Sequence, residues 1–173
     1  MKIMKRTTNT VRSIAYAAMT AALYVIFTYL SAMMGLSSGV IQCRLSEAFC
    51  ILPYFMGAAA IPGLAVGCLL ANLLTGAVIY DVIFGALATL LGALGTYLLR
   101  KVPLRRVRLL LPLPTVLSNT AIVPLVLQYA YGVPDAWWFL ALTVAIGELI
   151  AAELLGTGLS FVLEKYQRAL FRK

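Results

Sequence analysis

The sequence predicts an all-α polytopic membrane protein: a six-transmembrane-helix bundle with both termini cytoplasmic. Two observations lead to this prediction. The 173 residues are 62% hydrophobic and only 12% charged, with a mean hydropathy of +0.96, which is more apolar than a soluble domain of this size can bury. Almost all of the fourteen basic residues fall into three groups, and such groups mark the cytoplasmic side of a membrane protein.

These basic groups determine the number of crossings. They are Lys2, Lys5, Arg6 and Arg12; Arg100, Lys101, Arg105, Arg106 and Arg108; and Lys165, Arg168, Arg172 and Lys173. If all three are cytoplasmic, each intervening stretch crosses the membrane an even number of times. At about 20 residues per span, four crossings fit before the second group and two fit after it. The predicted spans of this single domain, residues 1–173, are 13–34, 44–60, 62–79, 82–99, 109–131 and 137–162.

The short spans of the first half leave one alternative open. We expect residues 35–43 to form an outer loop, Pro53 to kink the second helix and Ile61-Pro62-Gly63 to form the turn that follows it. Asp81 falls at the next outer turn. The spans between residues 48 and 99 are at the short end of the workable range, so in the alternative one of them is re-entrant.

A few polar residues enter the apolar spans, where an ionisable side chain is costly and indicates function. Glu148 lies near the middle of the last span, and at 1.5 Å per residue Asn119 and Asn72 lie at the same depth. The other candidates lie at or just below the outer surface: Gln128, Glu47 and Asp81. We expect these six residues to line one cavity that opens outward.

Simpler roles remain open for several polar residues. Asn72 and Asn119 can merely bond neighbouring helices, and Arg44 can pair with Glu47 three residues later at a helix start. Glu153 cannot share a helix face with Glu148, so we expect it at an interface with another helix or subunit, or snorkelling inward.

The first helix has a nearly smooth face formed by Ala15, Ala18 and Ala22. Small residues at this spacing let helices approach closely in lipid, and both an external partner and internal packing are open for this face. For the pair Gly63 and Gly67 on the third helix, internal packing is favoured.

The composition also excludes several functions. Without histidine, His-based catalysis is excluded, and the chain has no G-x-x-x-x-G-K-[ST] phosphate loop for ATP hydrolysis. We therefore expect no enzyme, no metal site and no cofactor. The net charge of +8 is explained by the cytoplasmic groups, so we expect no nucleic-acid partner.

Four short runs in the first half carry a resemblance: SGVIQ at 38–42, RLSE at 44–47, ANLLTG at 71–76 and DVIFG at 81–85. Leu113-Pro114, Asn119 and Gly147-Glu148 continue it. Over residues 13–163 the chain resembles the queuosine-precursor transporter (QueT) family, the substrate-binding S-components of energy-coupling factor (ECF) transporters. It departs from the family pattern at Cys43, where an aromatic residue is expected in the loop that gates the site.

The resemblance implies a function and a set of partners. The cargo would be a queuosine precursor, a 7-deazaguanine, bound at the outer half of the bundle under the loop between helices 1 and 2. The chain would sit in the cell membrane as the S-component of an ECF-type ABC importer, with a membrane coupling subunit and two cytoplasmic ATPases that supply ATP hydrolysis. The S-component would topple in the bilayer to release its cargo.

The predicted polar residues suit such a ligand. A guanine-like ring presents N–H and NH₂ donors side by side, and one carboxylate can accept both. Glu148 is the expected carboxylate, with Asn119 and Asn72 pairing with the remaining ring atoms. If the 7-substituent is an aminomethyl cation, Glu47 or Asp81 can balance its charge.

A stand-alone proton-coupled secondary carrier for a small polar or heterocyclic solute is the alternative function. In that case Glu148 carries the coupling proton. The sequence shows no inverted repeat and predicts no second titratable residue buried beside Glu148, and both observations disfavour a carrier.

Overall fold

The computed structural model describes residues 2–36 and 42–170, with side chains for 10–36 and 42–166. All secondary structure in these ranges is helical, which confirms the all-α prediction. The α-helices are α1 (Lys2–Met33), α2 (Leu52–Met56), α3 (Ala60–Leu74), α4 (Ile79–Leu98), α5 (Leu104–Val107), α6 (Leu113–Tyr129), α7 (Trp137–Glu148) and α8 (Leu155–Leu170). A 3₁₀ stretch, Leu45–Ile51, precedes α2, and a π-helical stretch, Leu149–Leu154, joins α7 to α8.

Five stretches, not six, are long and apolar enough to cross a membrane within the described residues. They are Thr10–Met33, Leu45–Leu74, Ile79–Lys101, Leu104–Tyr129 and Trp137–Tyr166. The prediction of six separate long spans is not met, because most of the expected spans 44–60 and 62–79 falls in the single stretch Leu45–Leu74. The two arms of this stretch, 45–56 and 60–74, are each shorter than the roughly 20 residues of a full crossing.

This helical run folds back on itself, as its contacts show. Ser46 bonds a threonine near the end of α1, whereas Met56 contacts Thr20, about two turns earlier in α1. Asn72, near the end of α3, accepts a bond from Arg44, two residues before Ser46. The chain therefore descends along α1 through residues 45–56 and returns through α3.

The reversal occurs at Gly57, where φ is +77° and a side chain would be strained. The expected turn at Ile61-Pro62-Gly63 is wrong, because these residues form the first turn of α3, where proline lacks only an N–H that has no helical partner. Pro53 likewise lies at the start of α2 rather than kinking a longer helix.

The connections between helices gather at two ends of the bundle. At the site end, formed by residues 34–36, 42–44, 75–78 and 130–136, the Tyr131 hydroxyl accepts a bond from the Val78 N–H. At the basic end, formed by residues 57–59 and 99–112, the Tyr54 hydroxyl donates to the Val102 carbonyl. The basic end carries most cationic side chains in the described residues: Arg12, Arg100, Lys101, Arg105, Arg106, Arg108 and Lys165.

The packing of α1 differs between its two faces. A Cβ at Gly63 or Gly67 of α3 would collide with α1 at Ala17 and Ala21, so the absence of side chains lets these helices touch. The structure thus uses Gly63 and Gly67 for internal packing, which is the role favoured by the sequence. The smooth face formed by Ala15, Ala18 and Ala22 is instead exposed.

Candidate functional site

A small polar cavity lies just inside the site end. Its lining comes from the segment before α2, from α4, from α6 and from α7: Gln42, Arg44, Glu47, Gly85, Asn119, Val123, Val144 and Glu148. Its volume of about 10 Å³ is close to the minimum that holds one water molecule. The polar side chains therefore close on one another in this structure.

Glu148 and Asn119 form one wall of the cavity. Glu148 ends α7 and is only 7% exposed. The Asn119 amide of α6 donates a hydrogen bond of 2.8 Å to Glu148 Oε1, while Oε2 has no partner in the part of the chain that the structure describes. A buried polar atom without a partner is costly, and this oxygen is free to accept from a ligand.

Glu47 lines the same cavity and is 1% exposed. Its carboxylate accepts hydrogen bonds from the Tyr24 hydroxyl on α1 and from the Cys50 thiol, the latter at 3.1 Å. Both donors are neutral groups. They orient the carboxylate but do not balance its charge.

A polar stripe on α1 holds the Glu47 segment in place. Thr20, Tyr24, Thr28 and Ser31 are all buried, and their spacing of three or four residues puts them on one helix face. The Thr28 hydroxyl donates to Ser46 at 2.7 Å, and Ser31 accepts from the Leu45 N–H at 2.9 Å. Sequence reasoning missed this stripe, although its helical spacing was visible in the first span.

Arg44 anchors a network behind the cavity. Its guanidinium donates to Asp81 at 3.4 Å, to Asn72 at 3.3 Å and to Gln42 at 3.2 Å. Burial alone would lower the pKa of Arg44, but nearby negative groups, Asp81 foremost, outweigh it, so the pKa lies above its usual value.

Tyr131 extends this network to the loop between α6 and α7. Its hydroxyl donates to the Asp81 carboxylate at 3.0 Å. Burial, and then the Asp81 charge, raise the pKa of Tyr131, so the hydroxyl stays protonated and keeps donating. Asp81 thus has a cationic partner in Arg44 and a neutral donor in Tyr131.

The segment that follows the loop between α1 and α2 packs against Gly147, the residue before Glu148. A Cβ at Gly147 would overlap the Gln42 backbone carbonyl, so only glycine lets the two backbones meet here. Residues 37–41 of the expected covering loop lie outside the described residues. Gln42 is therefore the first described residue of the cover after that gap.

The predicted site residues are placed as follows. Glu148, Asn119, Glu47 and Arg44 line one cavity, and Asn72 and Asp81 stand one contact behind it through Arg44. Gln128 is half-buried on α6 and is not among the lining residues.

The structure defines the surroundings of two further glutamates, Glu47 and Glu153. Glu47 is deeply buried in the cavity lining, and its depth just below the outer surface stays a prediction. Glu153 is partly exposed in the π-helical stretch and accepts a bond of 3.4 Å from Thr157 on its own helix. The sequence did not indicate that Gln42 and Gly85 line the cavity. The position of Gln42 depends on its backbone contact with Gly147, and that of Gly85 on the close approach of Asn72 from α3.

A helical bundle with membrane-spanning stretches and a closed, charged cavity at one end defines a class: a membrane protein that binds a small polar solute. The family model for the QueT transporter matches residues 14–165. No curated protein and no solved structure matches the chain. The chain therefore belongs to the QueT transporter family, as its sequence motifs suggest. Membership of this family indicates a transporter rather than an enzyme.

Proposed function

We propose that this chain is the S-component of an ECF-type ABC importer and that it takes up a queuosine precursor of the 7-deazaguanine class. The observation that carries the proposal is the buried pair of Glu148 and Asn119 at the cavity wall, joined at 2.8 Å, with one carboxylate oxygen unpaired. Membership of the QueT family supports the cargo class.

The donor edge of the base fits Glu148. Its two oxygens can accept from the ring N–H and the exocyclic NH₂, and hydrogen bonds to a charged group are roughly twice as strong as neutral ones. Asn119 on the same wall offers an amide to the neighbouring ring atoms. Arg44, also in the lining, can donate to the ring carbonyl.

Binding requires the cavity to open, because a volume of about 10 Å³ admits no heterocycle. We infer that the segment at Gln42, which packs against Gly147, moves away from it to admit the base.

The direction of the chain follows from its charges. The fold-back of residues 45–74 starts and ends at the site end, so it leaves the sidedness of the other helices unchanged whether it crosses the bilayer twice or is re-entrant. The basic end then faces the cytoplasm by the positive-inside rule. Both termini are cytoplasmic, and the chain is a single integral domain of the plasma membrane.

The exposed face of α1 is the proposed contact with a membrane coupling subunit. Ala15, Ala18 and Ala22 lie opposite the buried stripe that holds the site, and small residues at this spacing suit close helix contact. Two cytoplasmic ATPases bound to that subunit would provide the energy.

A proton-coupled secondary carrier is the second candidate, and one observation favours it. Glu47 lines the same cavity as Glu148 and is just as buried, so the sequence argument that Glu148 has no titratable neighbour fails. Against a carrier stands the basic end, which an apolar cluster fills without a polar route for cargo among the described residues: Ile51, Leu52, Phe55, Ala60, Val107, Leu111 and Leu163.

Purification from native membranes distinguishes the two functions. The chain is isolated in mild detergent, and its bound small molecule and co-purifying subunits are identified by mass spectrometry. We expect a 7-deazaguanine together with two ATPases and a coupling subunit. A chain that purifies alone and takes up solute in ATP-free vesicles under a proton gradient contradicts the proposal and establishes the carrier.

A further inference from the structure

The basic end carries more positive charge than its own acidic residues balance. Its ion pair within the described residues joins Arg108 to Glu164. Four further cations belong to the connection between α4 and α6, are exposed, and form no ion pair with the described residues: Arg100, Lys101, Arg105 and Arg106. Their charge is therefore available to an anionic group from outside the chain.

Two of these cations line a hollow at the point where α4 ends. The hollow has a volume of about 360 Å³, and its lining residues are Tyr97, Leu98, Arg100 and Lys101. Because α4 ends at Leu98 and a 3₁₀ turn, Leu99–Lys101, follows at once, the apolar and cationic parts lie within about one helical turn. Sites that hold small molecules have volumes of roughly 300–1,000 Å³, so the hollow is large enough to be one.

The bundle holds one side of this hollow in place. A Cβ at Gly57 would lie 2.7 Å from a terminal nitrogen of Arg100, so the guanidinium packs closely against the reversal between α2 and α3. Tyr97 is half-buried and packs against an apolar core cluster that includes Leu64. The hollow is thus formed by a seated guanidinium and a supported aromatic ring, and Lys101 adds an ammonium group on a flexible side chain.

The hollow lies where a membrane-spanning stretch reaches the surface of the bilayer. The stretch Ile79–Lys101 is long and apolar enough to cross a membrane, and its last residues are those of the hollow. Lipid headgroups occupy this level, and the acyl chains begin beside them toward the bilayer centre. Leu98 is 67% exposed and comes before the two cations along α4, on the side of the bilayer. This order matches the chain and the headgroup of a lipid.

We propose that the hollow binds an anionic phospholipid of the inner leaflet, with Arg100 and Lys101 holding its phosphate and Leu98 contacting the start of an acyl chain. The planar guanidinium suits two oxygens of one phosphate, and the lysine adds a point charge. Basic pockets at the cytoplasmic side of a membrane protein are suited to lipid headgroups. The proposal uses the proposed orientation of the chain only to choose the leaflet, and it does not depend on the cargo.

The test compares phosphatidylglycerol with phosphatidylcholine of the same acyl chains. Both lipids have a phosphate, but the choline ammonium would lie among unpaired cations. The full-length chain is purified in an uncharged detergent and titrated with each lipid, and bound lipid is measured by native mass spectrometry. We expect the parent to bind phosphatidylglycerol at least about tenfold more tightly. In Arg100→Gln combined with Lys101→Gln its affinity should fall about 30-fold, at about fivefold for each cation.

Further variants separate the hollow from general surface charge. Arg105→Gln combined with Arg106→Gln removes the same charge from the same connection outside the lining of the hollow. Because salt screens charges that are not in contact with the ligand, this control should lose no more than about twofold. Lys101→Gln alone leaves Arg100 seated against Gly57 and should lose about fivefold. Thermal unfolding shows whether each variant is folded.

A last arm distinguishes a membrane lipid from an anion in solution. The soluble headgroup glycerophosphoglycerol lacks acyl chains and should not displace phosphatidylglycerol at equal concentration. If it displaces the lipid as well as an intact competitor does, the hollow binds a dissolved anion and the assignment to a lipid is wrong.

Two other outcomes overturn the proposal. Equal affinity of the parent for the two lipids would leave the cations with the role of offsetting the carbonyl end of α4. Equal losses in the two double variants would mean that the basic end attracts anionic surfaces as a whole, without a site at the hollow. Neither outcome concerns the cavity at Glu148, so the proposed function is tested separately.

Discussion

At the site end the bundle buries four charged side chains together, whereas at the basic end it keeps its charges at the surface around an apolar core. Arg44, Glu47, Asp81 and Glu148 are all largely shielded from solvent. The three arginines and one lysine of residues 100–106 are exposed instead, and the cluster around Ile51 and Leu111 fills the interior of this end.

This difference agrees with the proposed function. Buried charge is tolerated where the protein or a ligand pairs it, so the site end suits a polar molecule better than the basic end does. If Glu148 holds the cargo as proposed, the apolar interior offers that cargo no passage through the basic end. Such a barrier fits the proposed S-component, in which the whole subunit would topple to release its cargo.

The largest expected effect is that of removing Glu148. Hydrogen bonds to charged groups contribute about 1.5–3 kcal/mol each, so losing a two-bond contact in Glu148→Ala should weaken 7-deazaguanine binding by about two to four orders of magnitude. Glu148→Gln should be intermediate, since its amide oxygen still accepts. Titration calorimetry on the purified variants measures both.

The matched control lies at the basic end. Glu164→Ala makes the same change at a carboxylate whose side chain is 42% exposed, and it should leave the affinity unchanged. If Glu148→Ala binds as tightly as the parent, the cavity at the site end is not the cargo site and the contrast between the ends loses its functional meaning.

The sequence predicted the two ends unequally, for physical reasons. Glu148 and Asn119 were found because a polar residue deep in an apolar span has few other uses. The donors that surround Glu47 were missed, because they depend on the early reversal at Gly57 and on the polar stripe of α1. Both are tertiary features that depth counting along separate straight helices cannot reveal.

The second prediction concerns α1, which presents one face to the site and the other to the membrane. Ala18→Leu combined with Ala22→Leu adds bulk to the exposed face and should reduce uptake by whole cells at least about tenfold, because close helix approach depends on small residues. Cargo binding to the isolated subunit should remain at the parental level. Radiolabelled uptake and calorimetry are compared on the same variant.

Ala21→Leu is the control on the other face of the same helix. Ala21 meets Gly67 of α3, so added bulk should lower folding yield and binding together. If the exposed double variant also loses binding and uptake equally, its alanines belong to the packing of the bundle, and α1 is not the partner face.

The smallest expected effect lies at the basic end. Arg108 joins the connection before α6 to α8, with its guanidinium 3.8 Å from the centroid of the Phe161 ring and an ion pair to Glu164. Each contact at a partly exposed site contributes about 0.5–1 kcal/mol. Arg108→Ala should therefore lower Tm by a few degrees, about 2–4 °C per kcal/mol for a chain of this length, and leave cargo affinity unchanged.

Arg106→Ala is the matched control, because Arg106 is an exposed arginine of the same connection and its loss should not change Tm. Arg108→Lys should recover part of the loss, since lysine keeps the charge but lacks the planar group that stacks on the ring. Thermal unfolding in detergent, followed by fluorescence with and without cargo, measures these effects. A loss of cargo affinity in Arg108→Ala that matches its loss of stability would contradict this prediction. It would mean that a surface contact at the basic end influences the charged cavity at the site end through the apolar cluster between them.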